Sequence, residues 1–132
     1  MRDYTKIAAW QYSDDLTVMI YEITQSFPKE ELYGLTSQLR RAAYSVPSNI
    51  AEGSARNTLK DYLHFLYMAR GSLTEVHYFT HLVTRLTYID NQAKAQLRDD
   101  ISNFLKITRT YSGCGKGIRH TLVPRFHSPI VI

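Results

Sequence analysis

The stretch from Gly34 to Gly53, GLTSQLRRAAYSVPSNIAEG, constrains the fold more than any other part of the chain. Leu32, Leu35, Leu39, Ala42, Val46, Ile50 and Gly53 recur at steps of three and four. At about 100° per residue they stay on one side of a helix, the mark of a strip that faces a bundle interior. A second line, Gln38, Arg41, Ser45, Asn49, Glu52 and Arg56, falls within about 80° on the same wheel, roughly a quarter-turn from the apolar strip. Two readings fit this boundary position. The line is either a solvated helix flank or a set of side chains that satisfy one another across a helix–helix or subunit contact.

Pro47 lies inside the same stretch. It removes one backbone hydrogen bond and crowds the carbonyl of Ala43, which predicts a kink, with Ser45 and Ser48 placed to bond the freed backbone. The alternative is two helices meeting near Tyr44–Val46. The apolar strip keeps its phase through Pro47, which favours one bent helix.

A chain of 132 residues is one domain with enough length for a real core. Hydrophobic content of 44% and aromatic content of 12% exclude an intrinsically disordered composition. Cys114 has no internal disulfide partner, no signal peptide precedes the first charges, and no apolar run has transmembrane length. A reducing cytoplasm and no membrane association are therefore expected. The formal charge of +4 is unevenly spread. Residues 1–57 hold six basic and seven acidic side chains, residues 58–112 seven and five, and residues 113–132 three and none. The folded part is only mildly basic.

Taken in order, the pattern predicts a first helix from about Lys6 to Ser26, with Ala9, Leu16, Ile20, Ile23 and Phe27 inward and Trp10 as a core or interface anchor. Phe27-Pro28 ends it, and Pro28 suits the first position of the next helix, with Glu30 and Glu31 in its first turn. Thr58 with Asp61 resembles a capping box before a third helix that runs to about Tyr88. Its inward face is Tyr62, Leu66, Ala69, Leu73, Val76, Thr80 and Val83, widened by Phe65. Gly71 in mid-helix costs about 1 kcal/mol against alanine, and close packing of a neighbouring helix is the expected reason. Asp90 or Asn91 caps a last helix ending near Ser112, with Ala93, Leu97, Ile101, Phe104, Leu105 and Thr108 inward. From Gly113 onward, glycines, prolines and lost periodicity predict a flexible or partner-dependent tail. The fold class is all-α: an up-down-up-down four-helix bundle over residues 1–112, with a kinked second helix and an irregular tail over residues 113–132.

One face of the third helix has functional character. Arg70, Thr74, His77, His81 and Arg85, flanked by Tyr67 and Tyr88, form a basic, aromatic-edged stripe suited to a phosphate backbone. A solvated flank with packed tyrosines is the plainer reading. His77 and His81 have the spacing of two metal ligands, but Tyr78 stands where a zinc protease has glutamate and no third ligand follows, so no metal and no cofactor is expected. Cys114 and His120 lack an orienting acid, and GCGKG lacks the strand, spacing and hydroxyl residue of a phosphate loop. No catalytic residue is assigned.

Several motifs together resemble a known family. They are Trp10; Tyr21, Thr24, Phe27 and Pro28; Glu31, Gly34, Leu35, Gln38, Arg40, Arg41 and Ala42; SVPSNIAEG at residues 45–53; and Ala69, Arg70, Gly71, Ser72 and Glu75. They are similar to four-helix-bundle proteins encoded in intervening sequences of bacterial large-subunit ribosomal RNA genes, a family that includes the accessory protein of diversity-generating retroelements. The likeness covers about residues 4–112. It implies a cytoplasmic bacterial protein that assembles as a ring-like homopentamer. In the retroelement branch, it implies binding to RNA and a reverse transcriptase. Arg40, Arg41, Glu52, Arg70 and Glu75 fall on family positions, and their chemistry leads to the expectation of a polar network joining the second and third helices or adjacent subunits. The function expected is a non-enzymatic oligomeric accessory or scaffold factor for RNA or a ribonucleoprotein. The alternative is a protein–protein interaction module that binds no nucleic acid.

Overall fold

The computed structural model describes the backbone of residues 2–112 and the side chains of residues 2–106. The expected tail at residues 113–132 lies outside them. Four helices make up most of the described chain: α1 (Ala8–Thr24), α2 (Leu35–Ser54), α3 (Leu59–Arg85) and α4 (Asn91–Ser112). No strand occurs among the described residues.

Contacts between the helices fix their directions. The Arg2 amide donates to the Ser54 carbonyl at 3.2 Å, the Thr17 hydroxyl to the Ala43 carbonyl at 3.2 Å, and Arg40 Nε to the Thr24 hydroxyl at 2.7 Å. Partners therefore descend along α2 as they rise from the N-terminus through α1, and these two helices are antiparallel. Ser45 and Ser72 share a hydroxyl–hydroxyl bond of 2.9 Å, while Gly53 meets Tyr62 and Phe65, so α2 and α3 are antiparallel as well. The link from Leu86 to Asp90 spans at most about 17 Å. Since α3 is about 40 Å long, α4 has to return alongside it. Among the described residues α1 touches α2 and α4, and α3 touches the same two, whereas neither diagonal pair brings backbones together. The core fills the middle of this square.

Ile20, Leu39, Val46, Ile50, Leu73, Val76, Val83, Leu97, Ile101 and Phe104 are buried there. The expected inward strips are largely realised, with Ile23 packed at the margin rather than inside. Leu32 is not part of the core: α2 begins at Leu35, and Leu32 lies 49% exposed before it. Pro28 precedes a short 3-10 turn, Lys29–Glu31, instead of opening α2 itself. Glu31 still serves the helix, because its Oε2 accepts from the Leu35 amide at 2.9 Å. Trp10 is half-buried against the core and meets the Tyr4 ring edge-on at 5.1 Å.

Of the buried hydroxyls Ser13, Thr24, Thr80 and Ser54, Thr80 alone sits on an inward strip that the sequence pattern identifies. Each bonds a carbonyl three or four residues back on its own helix; Thr24 reaches Ile20 at 2.7 Å and Thr80 reaches Val76 at 2.8 Å. That local bond offsets the cost of placing a polar group in the core.

Helix α2 runs through Pro47 without a break, so the two-helix alternative is excluded. Ser45 and Ser48 do not supply the expected repair. Proline has no N–H for the carbonyl of Ala43, and α1 provides the donor instead: Thr17 Oγ1 bonds both Ser13 O at 2.7 Å and Ala43 O at 3.2 Å. Ser13 O keeps its helical partner without Thr17, but Ala43 O, on a buried residue, does not. Thr17→Val should therefore cost about 1–3 kcal/mol in urea unfolding, while Thr17→Ser stays near wild type. Equal midpoints for the two variants would show that the Ala43 carbonyl does not need this donor.

Caps set the remaining ends. Thr58 Oγ1 accepts from the Asp61 amide at 3.1 Å and donates to Asp61 Oδ2 at 2.6 Å, so the expected box forms with aspartate engaging the hydroxyl. Asp90, rather than Asn91, caps α4 by accepting from the Ala93 amide at 2.7 Å.

Candidate nucleic-acid interface

Arg40 and the polar line along α2 and just beyond its end make three groups of contacts. Arg40 turns toward α1, where Nε donates to Thr24 and the guanidinium lies 4.7 Å from the Tyr21 ring centre. Asn49 Nδ2 donates to the Ser45 carbonyl at 2.8 Å and to its hydroxyl at 3.2 Å, and Ser45 reaches Ser72 on α3. Glu52 pairs with Arg56 one turn on, and the Arg56 guanidinium lies 4.5 Å from the centre of the Phe65 ring. Only the last two groups join α2 to α3. Gln38, Arg41, Arg70 and Glu75 are exposed, and their side chains have no partner among the described residues. The five family-position charges are thus not brought into one network within a chain.

On α3 the anticipated stripe is present in altered form. Arg70, Thr74, His77, His81 and Arg85 are all exposed along one face. None of its four Arg and His side chains has an ion-pair or hydrogen-bond partner among the described residues. Tyr67 belongs to this face and is 58% exposed. Tyr88 does not. Helix α3 stops at Arg85, Thr87 takes a left-handed φ of 59°, and the Tyr88 amide returns to the Val83 carbonyl at 2.9 Å. This turn swings the Tyr88 ring onto Phe27, 5.5 Å between centres, and its hydroxyl donates to Glu31 Oε1 at 3.3 Å. Burial, then the nearby Glu31 charge, raise the Tyr88 hydroxyl above the usual phenol pKa.

Tyr78, also 58% exposed, is an aromatic of this face that the basic spacing does not single out. It sits eleven residues after Tyr67, about three helical turns, and so shares its side of the helix. That interval between two tyrosines is the signal in the sequence that marks it.

The carboxylates of α3 are Asp61, engaged with Thr58 in the first turn, and Glu75. Glu75 is exposed one turn from both Gly71 and Tyr78, about 40° and 60° around the helix, and borders the face on the side toward α2. Gly71 falls between Tyr67 and Tyr78 and is exposed; a β-carbon built there meets nothing within 4 Å. No neighbouring helix packs on it, contrary to the sequence-based expectation. Among the described residues no group of three or more His, Cys, Asp or Glu side chains is arranged to hold a metal, and His77 and His81 gain no third ligand. Among the same residues, no helix is long and apolar enough to cross a membrane.

The family model described as 23S rRNA-intervening sequence protein matches residues 5–110. The chain belongs to this family. A solved structure of similar fold comes from Bacteroides thetaiotaomicron VPI-5482 and is described as a protein with unknown function from the S23 ribosomal protein family. It superposes with a TM-score of 0.70 at 20% identity, covering 79% of this chain and 97% of the other. At that identity the likeness carries the fold alone. No curated protein matches the sequence. The Gly34–Gly53 and Ala69–Glu75 motifs lie within the matched residues.

Proposed function

We propose that this intervening-sequence family protein is a non-enzymatic, oligomeric scaffold that accompanies RNA or a ribonucleoprotein in the bacterial cytoplasm. The outer face of α3 is its RNA contact. A single observation carries the reading: Arg70, His77, His81 and Arg85 line one exposed helix face with neither a carboxylate among them nor a side-chain partner among the described residues. Two guanidinium groups and two imidazole hydrogen-bond donors along one helix face are suited to a phosphate backbone. Unpaired Arg41 and Glu75, with exposed Tyr44 and Met68, leave a second surface on α2 and α3 for neighbouring copies, in keeping with a homopentamer. A ribonucleoprotein partner of the reverse-transcriptase kind fits the same arrangement.

The test is the salt dependence of RNA affinity. Neutralising Arg70→Gln and Arg85→Gln should weaken binding to single strands. The logarithmic salt slope should flatten by roughly 0.7 for each phosphate that the variant no longer neutralises. A variant with the affinity and slope of wild type would remove the face from the reading. A second reading, a module that recruits protein alone, draws on the exposed Tyr12, Val18 and Tyr21 of α1. It expects no RNA retention at low salt and capture of one protein partner after nuclease treatment.

A further inference from the structure

The α3 face has a shape as well as a charge. Tyr67 and Tyr78 project from it about 16 Å apart along the axis, each 58% exposed. Between them lie Gly71, which offers no side chain and opens onto empty space, and the small Thr74, whose hydroxyl is turned back onto the Arg70 carbonyl at 3.0 Å. The surface is therefore a shallow trough with an aromatic ring at each end. Arg70, His77 and His81 form one wall, and Glu75 stands on the other, toward α2. An exposed mid-helix glycine costs about 1 kcal/mol against alanine, and no packing contact among the described residues accounts for it.

Resting on the RNA reading above, we propose that this trough binds a single-stranded RNA segment rather than a duplex. Bases stack on Tyr67 and Tyr78, the sugar–phosphate chain crosses at Gly71, and Arg70, His77 and His81 hold the phosphates. Stacking on tyrosine needs a base with a free face, which a duplex interior does not offer. An A-form duplex would meet the protruding rings as obstacles, since its deep, narrow major groove does not admit them. The Tyr78 ring has one ring neighbour on its own helix, Phe79, tilted at 5.7 Å between centres, and keeps most of its surface free for a base.

The experiment measures affinity of the full chain for a short oligouridylate and for a blunt RNA duplex of matched length, with thermal melts of every variant as a folding control. Wild type should prefer the single strand. Tyr67→Ala and Tyr78→Ala should each weaken single-strand binding roughly tenfold or more and leave duplex binding unchanged, with the phenylalanine variants retaining affinity. Gly71→Leu should fill the trough and weaken binding while melting at or above the wild-type temperature. Equal binding of both RNAs, unmoved by the tyrosine and glycine variants, would overturn the trough while leaving a phosphate-binding face intact. Binding of neither RNA at low salt would overturn the RNA reading itself.

Discussion

Leu73→Ala should lower the free energy of unfolding by about 2–5 kcal/mol, whereas Leu32→Ala should change it by less than about 0.5 kcal/mol. Both leucines look alike in sequence, each on the inward strip of its helix. The structure separates them. Leu73 is fully buried in the middle of α3, among the core side chains that all four helices contribute. Truncation there forfeits the transfer of an isobutyl group from water and leaves a void that rigid neighbouring helices fill only in part. Leu32 lies ahead of α2 and already meets water over 49% of its surface, so little is lost. Urea unfolding of both variants decides the matter. Comparable losses would mean that α2 extends back through Leu32 in solution.

Gly53→Val should destabilise the bundle by about 1–3 kcal/mol, and more if the helices cannot part. Gly53 is where α2 presses directly on α3. A β-carbon placed there would lie 2.7 Å from the Phe65 β-carbon and 3.4 Å from the Tyr62 ring. The Phe65 β-carbon is fixed to the α3 backbone, so the strain is relieved only by separating two long helices. Separation would also loosen the Arg56 guanidinium from the Phe65 ring and the Ser45–Ser72 pair farther along the same seam. Gly71→Ala provides the contrast: its new methyl enters open space, and removal of glycine from a helix interior should raise stability by about 1 kcal/mol. Opposite shifts in thermal midpoint for the two glycines are expected. A fall of similar size at both would indicate a close approach at Gly71 that a single chain does not contain.

Periodicity reads the helices well because burial in a bundle is a property of one strip per helix, and the strips are long. Leu39, Val46 and Ile50 on α2 and Leu73, Val76 and Val83 on α3 sit where steps of three and four place them. The same logic fails beyond a helix end. A wheel extended past α3 sets Tyr88 beside Arg85, but the left-handed Thr87 breaks the phase and turns Tyr88 toward Phe27 and Glu31. Leu32 departs from its strip for the same reason at the start of α2. The two glycines show a different limit: residue type gives the helix-propensity cost, while only three-dimensional packing shows that Gly53 is crowded and Gly71 is open. Likewise Pro47 announces an orphaned carbonyl, yet the donor comes from Thr17 on another helix, a pairing no local pattern contains. For the candidate site, Tyr67, Arg70, His77, His81 and Arg85 are legible because they share one face of one continuous helix.

The most direct test of the account is ultraviolet cross-linking of single-stranded RNA to the full chain, followed by peptide mapping of the attached residues. Cross-links should concentrate on α3 at Tyr67, Tyr78 and His77. Cross-links confined to α1, at Tyr12 or Tyr21 on its two opposite flanks, or none under saturating RNA at low salt, would contradict this placement.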